Sequence, residues 1–71
     1  MRFTPLEKRS FTLAGHRTSV ALESEFWQVL TSMAASRGRS LAALVAEVDT
    51  ERGADRPLAS ALRIFALTRS R

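Results

Sequence analysis

The stretch that most constrains this chain is HRTSVAL, residues 16–22. It alternates with the two-residue period of a strand. Thr18, Val20 and Leu22 share one side, and Arg17, Ser19 and Ala21 share the other. The β-branched Thr and Val suit a pleated surface. A lone short strand does not persist in water, because its backbone donors and acceptors need a partner. The expected partner is the same strand from a second copy of the chain. Upstream, KRSFTL (residues 8–13) alternates as well, with Arg9, Phe11 and Leu13 on one face. Ala14-Gly15-His16 reads as a tight turn, where glycine supplies a positive φ. Residues 8–22 therefore admit two readings, a hairpin or an arm that orders only on meeting a partner. Two alternating runs around a glycine break favour the hairpin.

Size sharpens the need for a partner. The chain has 71 residues, a single domain spanning 1–71. So short a chain buries little of its surface and calls for disulfides, a metal or a second subunit. There is no cysteine, and His16 is the only histidine, so neither a disulfide nor a zinc site is expected. Oligomerisation remains, and a homodimer is expected. Eleven Lys/Arg against seven Asp/Glu leave a net charge of +4, and a dimer would carry twice that. Only Lys8 is lysine; the other cations are arginine, which suits bidentate phosphate and guanine contacts. A hydrophobic content of 45% is too high for a disordered basic tail. No apolar run approaches the ~20 residues of a membrane span. The N-terminal MRFTPLEKRS lacks the apolar centre of a signal peptide. The expectation is a soluble, cytoplasmic protein that engages no membrane.

Residues 1–7 read as a lead-in, held extended near Thr4-Pro5. Three helices follow the strand. The first, 24–37, starts at Ser24 as a cap, with Glu23 and Glu25 favourable at its N-terminus. Its stripe is Phe26, Val29, Leu30, Met33 and Ala34, with Trp27 beside it, and Gly38 stops it in a left-handed conformation. The second, 40–52, is capped by Ser40 and striped by Leu41, Leu44, Val45 and Val48. So apolar a helix should be buried, against a copy of itself, and Gly53 should stop it. The third, 57–70, opens on Pro57 and carries Leu58, Ala61, Leu62 and Phe65, widened by Ile64 and Leu67. Its basic end, Arg69 and Arg71, suits a helix C-terminus.

Little here supports catalysis. His16 has no nucleophile to pair with, Glu23 and Glu25 fall on different helix sides, and no glycine-rich phosphate loop exists. Glu47, Asp49 and Glu51 lack the spacing of a calcium loop and read as a solvated helix end. No catalytic residue, metal site or cofactor is expected, and the chain reads as a non-enzyme. His16 is a turn residue or a weak phosphate contact, with the turn favoured. Trp27 either packs or stacks on a base, with packing favoured.

The order strand, helix, Gly-Arg-Ser, apolar helix resembles the ribbon-helix-helix (Arc/MetJ-type) DNA-binding family. The stretches that carry the likeness are RTSVALESEFWQVL and RGRSLAALVAEV, from Arg17 to Val48. The fuller KRSFTLAGHRTSVALESEFW and the later PLASALRIFAL are similar to a small, largely uncharacterised bacterial subgroup. The resemblance implies a mainly α fold with a short N-terminal β-ribbon, an intertwined homodimer, and here a third helix. It implies a DNA-binding transcriptional regulator whose antiparallel ribbon enters the major groove, which admits two strands. Arg17, Ser19 and Ala21 would face the bases, although Ala21 departs from the usual polar residue and removes a reader. Ser40 with the amides of Leu41 and Ala42, helped by Arg39 and Arg37, would hold a backbone phosphate, as free amides at a helix start do. Val20, Leu22, Leu44, Val45 and Val48 would form the dimer core. The third helix would pack over that core or, as in antitoxins of this fold, dock a protein partner; its wide apolar face favours packing.

Overall fold

The computed structural model describes residues 5–69. Two strands, β1 (Leu6–Leu13) and β2 (His16–Glu23), are followed by α1 (Ser24–Ser36), α2 (Leu41–Glu51) and α3 (Leu58–Arg69). Leu6 and Glu7, expected in a lead-in, belong to β1, and residues 1–4 of that lead-in lie outside the described residues. So do residue 70 of the expected third helix and the terminal Arg71.

β1 and β2 pair antiparallel from Leu6↔Glu23 to Leu13↔His16. The turn between them is only Ala14-Gly15, both with positive φ (51° and 81°). That geometry marks a type I′ turn, whose twist matches the strands it joins. His16 is thus the first residue of β2, opposite Leu13, and flanks the two central turn residues rather than being one of them. The strand partner assigned to a second copy is supplied here by β1 of the same chain. The hairpin outcompetes a free arm because Phe11 gains burial against Trp27 of α1 and Leu13 is buried in the core as β1 meets α2.

Alternation sorts the hairpin into two faces. Phe11 and Leu13 lie inward with Val20, Leu22 and the half-buried Thr18. Arg9 shares that face, and its guanidinium lies 5.0 Å from the centre of the Trp27 ring. Trp27 does not flank the α1 stripe but anchors it. It is 1% exposed, its ring centre is 5.9 Å from that of Phe11, and its indole N–H donates to the Glu7 carbonyl at 2.9 Å. Phe26 is the residue left at the margin, half-buried beside Arg63. The stripe is rotated because β1 provides an apolar roof and a carbonyl that only an indole can use together.

The helix ends also differ in detail. Ser24 is the first helical residue and its hydroxyl faces Glu25; Glu23 holds the cap position without a side-chain cap bond. At the other end of α1, Gly38 has the expected positive φ, 66°. Arg39 donates its amide to the Ala34 carbonyl at 2.9 Å, completing the turn. α2 ends not at a left-handed Gly53 but at Arg52, whose backbone is extended while its guanidinium bonds Asp49 and the Arg56 carbonyl. Pro57 precedes α3, and its carbonyl accepts from Ala61.

The core lies where the hairpin and the three helices meet. Leu22, Leu30, Leu44, Val45 and Leu62 are wholly buried, with Val20 and Val48 nearly so. All five residues expected at a dimer core are therefore covered within one chain. α3 does much of the covering, laying Leu58, Ala61, Leu62, Phe65 and Ala66 over α2 and the hairpin. The favoured packing role of the third helix matches this placement.

Candidate nucleic-acid interface

The outer face of the hairpin is polar and exposed. Lys8, Ser10 and Thr12 of β1 stand opposite Ala21, Ser19 and Arg17 of β2 in that order. Ala21 is half-buried; the other five are exposed. Side chains bridge the two strands. The Ser10 and Ser19 hydroxyls are 3.1 Å apart, and Arg17 Nη1 approaches the Thr12 hydroxyl at 3.4 Å. Arg17, Ser19 and Ala21 are thus brought together on one face. The three β1 residues beside them were not singled out in the sequence. The signal was present, since placing Arg9, Phe11 and Leu13 inward puts Lys8, Ser10 and Thr12 outward.

The second group lies between α1 and α2. Ser40 caps α2, its hydroxyl accepting from the Ala43 amide at 3.0 Å. The amides of Leu41 and Ala42, earlier in the same turn, have no carbonyl partner within the helix, so the positive end of the helix dipole lies there. The Leu41 side chain is half-buried against the core, so only its backbone can serve a ligand. Arg39 is drawn back along α2, where it pairs with Glu47 and donates to the Ala43 carbonyl at 3.2 Å. Arg37 lies over the Phe65 ring and within 4.0 Å of Glu47. The acidic end of α2 is therefore not simply solvated; Glu47 holds the two arginines expected to help a phosphate. A long side chain next to a half-buried carboxylate is stabilised there until a stronger anion competes for it.

Where β2 passes into α1, Glu23 accepts from Arg63 of α3, Nε at 3.0 Å and Nη2 at 2.9 Å. Its own backbone amide and then the Arg63 guanidinium hold the Glu23 carboxyl below its ordinary range. This pair fixes α3 to the strand–helix junction rather than serving the outer face.

Among the described residues no group of three or more His, Cys, Asp or Glu side chains could hold a metal ion, and no helix is long and apolar enough to cross a membrane. No curated protein and no solved structure matches the chain. One family does match: the ribbon-helix-helix domain, over residues 6–70. That span runs from the first residue of β1 past the last described residue of α3, so hairpin and third helix both lie inside it. The chain belongs to the ribbon-helix-helix domain family.

Proposed function

We propose that this protein is a homodimeric DNA-binding transcriptional regulator that presents the outer hairpin face to the major groove. Family membership supports DNA binding of the regulator type. The observation that carries the finer reading is the outer face itself. It bears two cations and three hydroxyl groups and no acidic residue between Lys8 and Thr12 or between Arg17 and Ala21. Arg17 suits guanine, Ser19 suits several bases, and Ala21 suits a thymine methyl. The amides at the start of α2, with Ser40, suit a backbone phosphate that sets the register. On meeting it, Arg39 would exchange Glu47 for the phosphate.

The dimer now rests on different ground. β1 has taken one edge of β2. In a two-residue hairpin the closing pair Leu13↔His16 is hydrogen-bonded, so bonded pairs recur at Phe11↔Thr18 and Arg9↔Val20. The backbone groups of Arg17, Ser19 and Ala21 then point to the other edge, which no strand occupies among the described residues. That edge suits a second β2, giving the strand order β1–β2–β2–β1. An unpaired edge of this kind is otherwise a liability.

The test is a polarisation titration with a duplex enriched by the wild-type protein from a random-sequence pool. Arg17→Ala should lower affinity by roughly 1–3 kcal/mol per protomer while the fold survives. Unchanged affinity would sink the assignment. Sedimentation should return a dimer, and a monomer at all concentrations would remove the strand pairing.

A second reading draws on α3. Ile64 and Leu67 are 42% and 63% exposed, and Ile64 borders a shallow groove with Val48, Ala61 and Phe65, rimmed by Arg52 and Arg69. This surface suits an antitoxin-like contact with a protein partner. Ile64→Asp would abolish such a contact and leave DNA affinity unchanged.

A further inference from the structure

The outer strand changes what the proposed interface can be. Neighbouring strands lie about 4.8 Å apart, so four of them span roughly 14 Å between their outer axes. The major groove is about 12 Å wide and admits two strands. If the two β2 strands occupy the groove, each β1 lies above a groove wall, where the phosphates are. Lys8 points out of the sheet there, and Ala21 opposite it carries no polar group of its own. Further along β1, the Ser10 hydroxyl meets Ser19 and the Thr12 hydroxyl meets Arg17. An arginine with a fixed hydroxyl beside it loses less rotamer freedom on binding, so the reader is partly arranged beforehand.

We infer that β1 is the flank of the nucleic-acid face: Thr12 and Ser10 are positioning residues for Arg17 and Ser19, and Lys8 contacts backbone phosphate at the groove wall. This inference rests on the DNA-binding reading above. It assigns three residues outside the strand that carries the readers, and it divides them by role. Lys8 acts on every sequence alike, because a phosphate contact carries no sequence information. Thr12 and Ser10 act only through readers, so they affect preference between sequences.

Two duplexes separate the roles, one of random sequence and one enriched from a random pool by the wild-type protein. Lys8→Gln should reduce the slope of log affinity against log salt on both duplexes, by about 0.9 for each lysine that neutralises a phosphate. The preference for the enriched duplex should stay as in the wild type. Thr12→Val, which keeps the β-branched shape, should lower that preference about three- to tenfold and leave the slope unchanged, as the loss of one modest hydrogen bond per protomer predicts. Thr12→Ser should restore the preference, which a purely structural role for the side chain would not require. Both positions are exposed, and unchanged far-UV circular dichroism confirms that the variants fold. A Lys8→Gln slope equal to wild type overturns the inference, as does a Thr12→Val preference equal to wild type. Arg17→Ala, run alongside, tells the two failures apart. If it loses the enriched duplex while the β1 variants do not, the DNA-binding reading stands and the flank falls. If it too is silent, or the wild type binds neither duplex, both fall.

Discussion

Replacing Trp27 by phenylalanine tests whether β1 is anchored in the way the packing implies. Three contacts change. The indole N–H to the Glu7 carbonyl disappears, for about 1 kcal/mol net. The smaller ring leaves a void of about 40 Å³ and loses buried apolar area, together about 1–2 kcal/mol. The Arg9 guanidinium now lies over a weaker ring, for a few tenths of a kcal/mol. The sum is a loss of about 2–3 kcal/mol. In a domain of this size that lowers Tm by about 10–20 °C, since 1 kcal/mol is worth about 4–8 °C. Urea unfolding followed by far-UV circular dichroism gives the loss directly. Amide exchange locates it: protection should fall in β1 more than in α2. A loss below about 0.5 kcal/mol, or equal loss of protection in β1 and α2, would refute the claim that this side chain ties the strand to α1.

Ala14 occupies a left-handed position that costs a non-glycine residue roughly 1–2 kcal/mol, so Ala14→Asn should stabilise the protein by about 0.5–1 kcal/mol in the same urea assay. Leu44→Ala should cost about 2–5 kcal/mol, and the loss should be the same at every protein concentration, because Leu44 is buried within one chain. A loss that deepens on dilution would return this residue to a subunit interface. The Glu23 carboxyl is held below its ordinary 4.5 in the folded state. Its stabilising effect is therefore complete above that value and disappears as pH falls through it towards the lower folded value. Glu23→Gln should flatten the acid side of the stability profile and leave the neutral-to-basic side parallel to wild type; an unaltered acid side would exclude the Arg63 pair as a contributor.

The strand pattern was legible because period two survives any partner: Val20 and Leu22 are inward whichever strand lies alongside. The identity of that partner was not legible. Alternation in KRSFTL shows a possible strand, but its value depends on Phe11 finding Trp27 of α1 and on β1 meeting α2, contacts distant in sequence. The place of Trp27 is ambiguous in the sequence for a related reason. Helical spacing offers two overlapping stripes, one through Phe26 and one through Trp27, and the Phe11 ring and the Glu7 carbonyl of β1 decide between them. At the site, the exposed Arg17 and Ser19 followed from the pattern, and Ser40 from its cap chemistry. The hold of Glu47 on Arg39 and Arg37 could not be read, because flexible arginine side chains choose partners by three-dimensional proximity. A strand and two helices offer too little chain to cover Val20, Leu22, Leu44, Val45 and Val48, and α3 supplies that cover within one chain.

β1 and α3 lie at the two ends of the strand-helix-helix stretch and close over it. Without them, Val20, Leu44, Val45 and Val48 would face water in a single chain, at about 1.5–3 kcal/mol for each large side chain. Association would then be the only way to hide them. With them, these four are at most 5% exposed already. The proposed pairing of β2 edges would therefore add to a folded protomer rather than create one. What remains for that pairing is the outward backbone of Arg17, Ser19 and Ala21. Such an interface is more polar than a shared core, and its loss leaves the protomer intact. The residues whose backbone would cross the two-fold axis are also those whose side chains leave the sheet outward. Pairing and the doubling of the readers are then one event: one chain offers a single Arg17, and two chains offer a symmetric pair at fixed spacing. Affinity for DNA should accordingly track dimer concentration, while far-UV circular dichroism stays constant on dilution and Tm falls only by the mass-action contribution of the pairing.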